Sequence, residues 1–247
     1  MPKLEKIINI KADMVVLTGI KIGGAKDKFD IGGLDNPVIR TVVPVKFLKE
    51  NIGVSGIKEN EKEEYLAIPY IPGSSLKGRM RALLELKYGK TNNGEISTEE
   101  PFRKVFGISA SEAKENETTI TRAIFRDAYP TKETIEMWLK LSEEESTFDL
   151  GTELKIENKI DRLTSKSKGL RSMERVIPGS KFKVEINLLI FEEDVKEEQE
   201  WIKLIKEGFK LIEETYLGGC GTRGYGKVRF ENIEINSISL EQIKSGE

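Results

Sequence analysis

The chain has 247 residues, 33% of them charged, and its 40 Lys+Arg nearly cancel 42 Asp+Glu to leave a net charge of −2. That length holds one elaborated domain or two small ones, and the near-neutral balance excludes a protein held to nucleic acid by its overall field, so any polyanion site is local. One cysteine and no histidine exclude a disulfide scaffold, histidine acid–base catalysis and a Cys/His zinc cluster; they fit a reducing cytoplasm, and no stretch is apolar enough to span a membrane.

In chain order, Ile8, Ile10, Ala12, Met14 and Val16 alternate with outward residues at the period of a half-buried strand. Lys21 and Gly23-Gly24 lead into a glycine-rich loop that holds Asp30 and Asp35 and ends at the Asn36-Pro37 turn. Residues 38–45 read as a short strand, and 41–65 contain a polar surface insertion. Leu76, Met80, Leu83 and Leu84 then form a helical apolar face, capped by Ser74 or Ser75 and ended by Gly89. Lys77, Arg79 and Arg81 near its start oppose the helix dipole. An anion sharing the site explains that placement, so Ser75, Lys77, Arg79 and Arg81 are candidate phosphate contacts.

Residues 91–120 read as loop with a short helix. Thr121 to Ala128, with Arg126, reads as a strand ending before Pro130, and Thr131 to Glu145 as a helix around Ile135, Trp138 and Leu139. From Lys155 to Lys183 nine cations face only Glu157, Asp161 and Glu174. With few apolar residues and a Lys168-Gly169 turn signal, this segment is expected to project as a basic arm, with Arg162, Arg171 and Arg175 as candidate RNA contacts. Phe182, Val184, Ile186, Leu188 and Ile190 alternate as a strand. Glu192 to Tyr216 has helical spacing and nine acids to four bases, so it is expected to face away from nucleic acid. Val228, Phe230, Ile233 and Ile235 supply a last strand.

Between that helix and that strand lies Tyr216-Leu217-Gly218-Gly219-Cys220-Gly221-Thr222-Arg223-Gly224-Tyr225-Gly226-Lys227. Glycine lets a backbone approach closely, successive N–H groups can converge on an anion, and Arg223 and Lys227 add charge. Matches to G-x-G-x-x-G and G-x-x-x-x-G-K are accidental: both motifs need strand, loop, helix, whereas this loop follows a helix, and Val228 stands where Ser or Thr is required. The elements together predict an α+β fold with a ferredoxin-like (RRM-like) βαββαβ core. The aromatic pattern for stacking bases on the sheet is missing, so the grip is expected on the sugar-phosphate backbone.

Ile31 to Ile39, Ile71-Pro72-Gly73-Ser74-Ser75-Leu76-Lys77-Gly78-Arg79-Met80-Arg81, Phe125-Arg126-Asp127-Ala128, Glu157-Asn158-Lys159-Ile160-Asp161-Arg162 and the loop Leu217 to Lys227 stand in one order. Together they resemble the RAMP superfamily of CRISPR proteins, in particular the family of the third Csm protein, backbone subunit of type III-A effector complexes. The resemblance implies a single domain over 1–247 with an inserted lid, insertions at 41–65 and 91–120, and a projecting basic thumb hairpin at 155–176. It implies as partners crRNA, target RNA, further copies of the chain along the crRNA and other Csm subunits, with no membrane. It also implies cleavage of guide-complementary RNA beside each thumb, with Asp35 catalytic and Mg²⁺ or another divalent metal required, Asp35 itself being a candidate ligand. Lys21, where the family often has histidine, Arg126, Gly219, Gly221, Arg223 and Lys227 complete the expected RNA contacts. A non-catalytic crRNA scaffold is the alternative, and Asp35 separates the two.

Overall fold

Alternation along the first strand decides which side of it is the inside: Ile8, Ile10, Ala12, Met14 and Val16 are all buried. The computed structural model describes residues 2–23, 37–57, 64–91, 94–108, 120–144 and 149–245. In chain order these form β1 (Leu4–Val16), β2 (Arg40–Pro44), α1 (Val45–Phe47), β3 (Tyr65–Pro69), α2 (Gly73–Tyr88), α3 (Phe102–Phe106), β4 (Ala123–Phe125), β5 (Tyr129–Pro130) and α4 (Lys132–Glu144). β6 (Thr152–Ile160), β7 (Ser167–Val176), β8 (Lys181–Phe191), α5 (Glu198–Glu214), β9 (Val228–Ser239) and α6 (Leu240–Ser245) complete the chain. The architecture is mixed α+β with antiparallel sheets.

The main sheet has the order β4-β8-β1-β9, with β5 beside β8. Ile10 lies opposite Ile186 and Met14 opposite Phe230, so the inward faces of all three long strands coincide. Each fully buried aliphatic or aromatic side chain there contributes about 1.5–3 kcal/mol. α2 and α5 bring Leu76, Met80, Leu84, Trp201, Ile205, Phe209 and Ile212 to the same core, with the Phe209 and Phe230 ring centroids 4.4 Å apart. The two helices cross closely because residue 208 is glycine: a Cβ there would lie 2.3 Å from Met80 Cγ. Among the described residues no helix is long and apolar enough to cross a membrane.

Several sequence expectations are corrected. A bulge in β9 against Lys11–Asp13, with Asn232 at φ 53°, shifts the alternation and leaves Ile233 39% exposed. The edge strand does not end before Pro130, since Pro130 pairs with Phe182; an edge position tolerates its missing N–H. α5 begins at Glu198, not Glu192, because Glu192–Asp194 form a separate 3₁₀ turn whose Asp194 is held by Arg122 at 2.7 Å. Within 41–65, Leu48 and Val54 reach the core, and the Ser55 N–H and hydroxyl both donate to Glu136 of α4. Within 91–120 the expected short helix is present as α3, with Phe102, Val105 and Phe106 buried.

Residues 152–176 form a two-stranded hairpin apart from the main sheet. Its turn is Asp161 to Lys166, not Lys168-Gly169. The Asp161 carboxylate accepts the N–H groups of Leu163 and Thr164 at 2.8 Å each, an Asx turn. Lys168 and those amides hold its pKa down to about 2. Gly169 instead sits within β7 opposite Lys159. Alternation then divides the hairpin: Leu154, Ile156 and Ile160 are exposed on one face, and Lys155, Glu157 and Lys159 occupy the other.

Candidate nucleic-acid interface

The glycine loop folds back on the end of β1. Gly219 N–H donates to Lys21 O at 2.7 Å, Gly226 N–H to Gly19 O at 3.1 Å, and Leu17 N–H to Lys227 O at 2.8 Å. Gly226 has φ 74°, and a Cβ there would lie 2.0 Å from Leu217 O, so this crossing admits only glycine. The expectation that the loop amides converge on an anion is corrected for these groups. They are consumed by residues 17–21, because the loop is the seam joining α5 and β9 to the β1 extension.

Lys227 is likewise engaged: its ammonium donates to Glu213 O at the C-terminus of α5, where a cation complements the helix dipole. Gly221 lies over the Tyr216 ring, leaving no room for a Cβ. Arg79 donates Nε to Tyr216 O at 2.9 Å and stacks on the Tyr216 ring at 3.9 Å, fixing α2 to the loop entry.

Arg223 is the exposed cation of the loop. Its Nη1 donates to Glu157 Oε2 at 2.6 Å, and the Tyr225 hydroxyl donates to Glu157 Oε1 at 2.8 Å. Lys155 Nζ donates to Arg223 O and lies 4.3 Å from the Tyr225 ring centre. Burial, then the Glu157 bond, push Tyr225 up to about 12, while the Tyr225 hydroxyl foremost holds Glu157 below its ordinary value. Arg175 donates to Glu153 at 2.8 Å and lies 5.2 Å from the same ring. Arg162 and Arg171 are exposed further along the hairpin.

Lys21 is 6% exposed, with Nζ 3.7 Å from Met173 Sδ. Burial above all lowers its pKa. Lys21, Arg175, Gly219, Gly221 and Arg223 therefore gather where the loop meets the hairpin root, Arg79 joins them through Tyr216, and the Lys227 ammonium turns instead to the end of α5.

The start of α2 differs from expectation in two respects. Pro72 occupies the N-cap and neither Ser74 nor Ser75 caps the helix; instead Asp127 Oδ1 accepts the Gly73 N–H at 2.8 Å. The anion inferred at this helix start is thus met in part by Asp127. Arg81 is buried, donating to Glu85 at 2.6 Å, Gly107 O at 2.8 Å and Ser97 O at 2.7 Å. It organises residues 97–107 and is not available to solvent phosphate, which corrects its assignment as an RNA contact. Ser75 and Lys77 are half-buried and Arg126 is exposed beside Asp127; burial and then Arg81 lower the Lys77 pKa.

Asp35, Asp30 and the rest of 24–36 lie outside the described residues. Both roots of that segment are described. Gly23 bridges Val38, and Ile39 N–H donates to Ile22 O at 2.9 Å. Val38 N–H donates to Glu174 Oε2 at 2.6 Å, Arg40 binds Glu174 Oε1 at 2.6 Å, and Ile20 pairs with Val176. The segment carrying Asp35 therefore leaves and rejoins the fold between glycine loop and hairpin root. Among the described residues no group of three or more Asp, Glu or Cys side chains could hold a metal ion.

Residues 14–229 match the RAMP superfamily. The chain is 37% identical to the CRISPR system Cms endoribonuclease Csm3 of Methanothermobacter thermautotrophicus, over 97% of this chain and 89% of that protein. It is 39% identical to the protein of the same name from Methanocaldococcus jannaschii, over 94% and 79%. The chain belongs to the Csm3 family of the RAMP superfamily. Among solved structures, a Csm3–Csm4 subcomplex of the type III-A CRISPR-Cas interference complex aligns with TM-score 0.52 and 28% identity, over 98% of this chain and 84% of that one.

Within this Csm3-family chain, sequence reasoning missed Asp127, Glu157, Glu174 and Tyr225 as site-building residues. Asp127 and Glu157 stood inside the family motifs quoted above, which was their available signal. Glu174 and Tyr225 carried none, since one acid in a basic arm and one tyrosine in a glycine loop look like solvated residues.

Proposed function

We propose that this chain is a crRNA-binding backbone subunit of a type III-A CRISPR effector complex that cleaves guide-complementary target RNA at regular intervals. The observation that carries the reading is the convergence of three elements: the roots of the Asp35 segment, the glycine loop and the basic hairpin meet at Lys21, Val38, Glu174 and Gly219. In this reading β1-α2-β4-β8-α5-β9 is the ferredoxin-like βαββαβ core, the 152–176 hairpin is the thumb, and further copies and other Csm subunits pack along one crRNA in the cytoplasm.

The mechanism follows from geometry more than from acid–base power. A hairpin inserted into a guide–target duplex splays a nucleotide and can bring its 2′-OH in line with the adjacent phosphorus, which supplies much of the acceleration. Asp35 accepts the 2′-OH proton, the 2′-oxygen bonds to phosphorus, and the P–O5′ bond breaks as the 5′-oxygen takes a proton from water. The products are a 2′,3′-cyclic phosphate and a 5′-OH. Arg223, Arg171 and Arg162 hold the backbone, and Lys21 adds a buried positive charge behind them. A divalent ion such as Mg²⁺, when bound, would neutralise developing phosphate charge. One carboxylate suits it, because Mg²⁺ keeps several waters and takes few protein ligands.

The test is cleavage of a guide-matched RNA by the reconstituted assembly, with and without Mg²⁺. Regularly spaced cuts that need the metal are expected. Stable RNA binding with no cuts under any condition would leave the non-catalytic scaffold instead.

A further inference from the structure

We infer that the Glu157 carboxylate is an internal substitute for an RNA phosphate on Arg223, and that RNA binding exchanges the one for the other. The inference deepens the RNA-binding reading above and rests on it.

Three features of the contact carry it. Arg223 holds Glu157 through a single N–H, Nη1 to Oε2 at 2.6 Å, while its Nη2 donates to Cys220 Sγ at 2.6 Å and the Tyr225 hydroxyl takes Oε1 at 2.8 Å. A phosphate offers the guanidinium fork a bidentate partner in place of this pairing split between one carboxylate oxygen and a weakly accepting sulfur. The accessibilities are also unequal: the Arg223 side chain is 45% exposed and that of Glu157 18%. A phosphate can therefore reach Arg223 from outside while Glu157 stays seated. Finally, losing Arg223 does not strand the Glu157 charge. Tyr225 remains bonded, and Lys155 Nζ stands 3.7 Å from Oε1.

The same contact ties the hairpin to the glycine loop, since Glu157 is on β6 and Arg223 and Tyr225 are on the loop. Exchange would release one of those two ties and keep the other. The hairpin would then keep its Tyr225 bond to the loop while Arg223 turns to the nucleic acid.

Salt-dependent binding of a single-stranded crRNA tests this. Each phosphate contact adds about 0.7 to the slope of log affinity against log salt for single strands. Glu157→Gln, which removes the competing charge, is expected to bind several-fold tighter with the wild-type slope, since Arg223 meets a phosphate in both complexes. Arg223→Ala is expected to weaken binding, and Glu157→Gln to add nothing on that background. Tyr225→Phe, which loosens the same tie without changing charge, is expected to give no such gain. A Glu157→Gln affinity equal to wild type, or a Tyr225→Phe gain as large as that of Glu157→Gln, would overturn the exchange and leave a structural tie only.

A second readout needs no variant: the Arg223 guanidinium NMR signals of the wild-type chain should shift on adding RNA. Signals unmoved at saturation would also overturn the exchange. Wild-type protein that binds no RNA would instead overturn the functional reading, and the exchange would fall with it.

Discussion

The Val38 amide donates to Glu174 Oε2 at 2.6 Å, fastening the first residues after the Asp35 segment to the root of the basic hairpin. Glu174 is 4% exposed and is also bound by Arg40 and Thr152. Removing one member of such a buried pair strands the other, at a cost of about 3–5 kcal/mol. Arg40→Ala is therefore expected to lower unfolding free energy by about that amount, read by denaturant titration. A loss below about 1 kcal/mol would mean the pair is solvated and the root is not locked.

Arg81 separates structural cations from RNA-binding ones. Arg81→Ala breaks three buried hydrogen bonds and leaves Glu85 without its ion-pair partner. It should destabilise the fold by about 3–5 kcal/mol, while protein that remains folded keeps the wild-type salt slope for RNA. A flattened slope with unchanged stability would restore Arg81 as a phosphate contact.

The hairpin should show the reverse pattern. Arg162 and Arg171 are exposed, so replacing both with Ala should barely move the melting temperature. Binding should weaken, and the salt slope should flatten by about 0.7 per lost phosphate contact. An unchanged slope would mean that this face of the hairpin meets protein instead.

Lys21 gives a pH-dependent signature. Its folded pKa lies below the ordinary 10.5, chiefly through burial. Below the folded value the ammonium is charged in both states and the fold bears the desolvation cost. As pH rises from the folded toward the unfolded value, the unfolded chain holds more protons and stability increases. Lys21→Met should abolish that alkaline gain. It should also raise the melting temperature near neutrality by about 2–4 °C, the shift that about 1 kcal/mol gives at this chain length. RNA binding should weaken at the same time. A variant less stable at neutral pH would contradict the assignment.

The main sheet was legible because its strands alternate strictly: Ile8 to Val16 and Phe182 to Ile190 have one buried face each, and period-2 patterns report that directly. α2 and α5 were legible for the same reason at helical spacing. The hairpin turn was not legible because the Asp161 side chain builds it, whereas Gly169, the stronger local turn signal, is taken up within β7. Arg81 and Lys227 were misassigned because sequence displays charge but not its partners. Whether a cation faces RNA or a carbonyl such as Gly107 O or Glu213 O is decided by tertiary packing. The glycine loop was correctly singled out as special, yet its amides bind the protein's own backbone.

The central claim is that Asp35, carried by the segment rooted between Val38 and Lys21, performs RNA cleavage in the assembled complex. The direct measurement is to reconstitute the complex with Asp35→Ala and to follow a guide-matched RNA in the presence of Mg²⁺. The account predicts that crRNA and target binding persist while the regularly spaced cuts disappear. Cuts at the same positions with undiminished rate would contradict it.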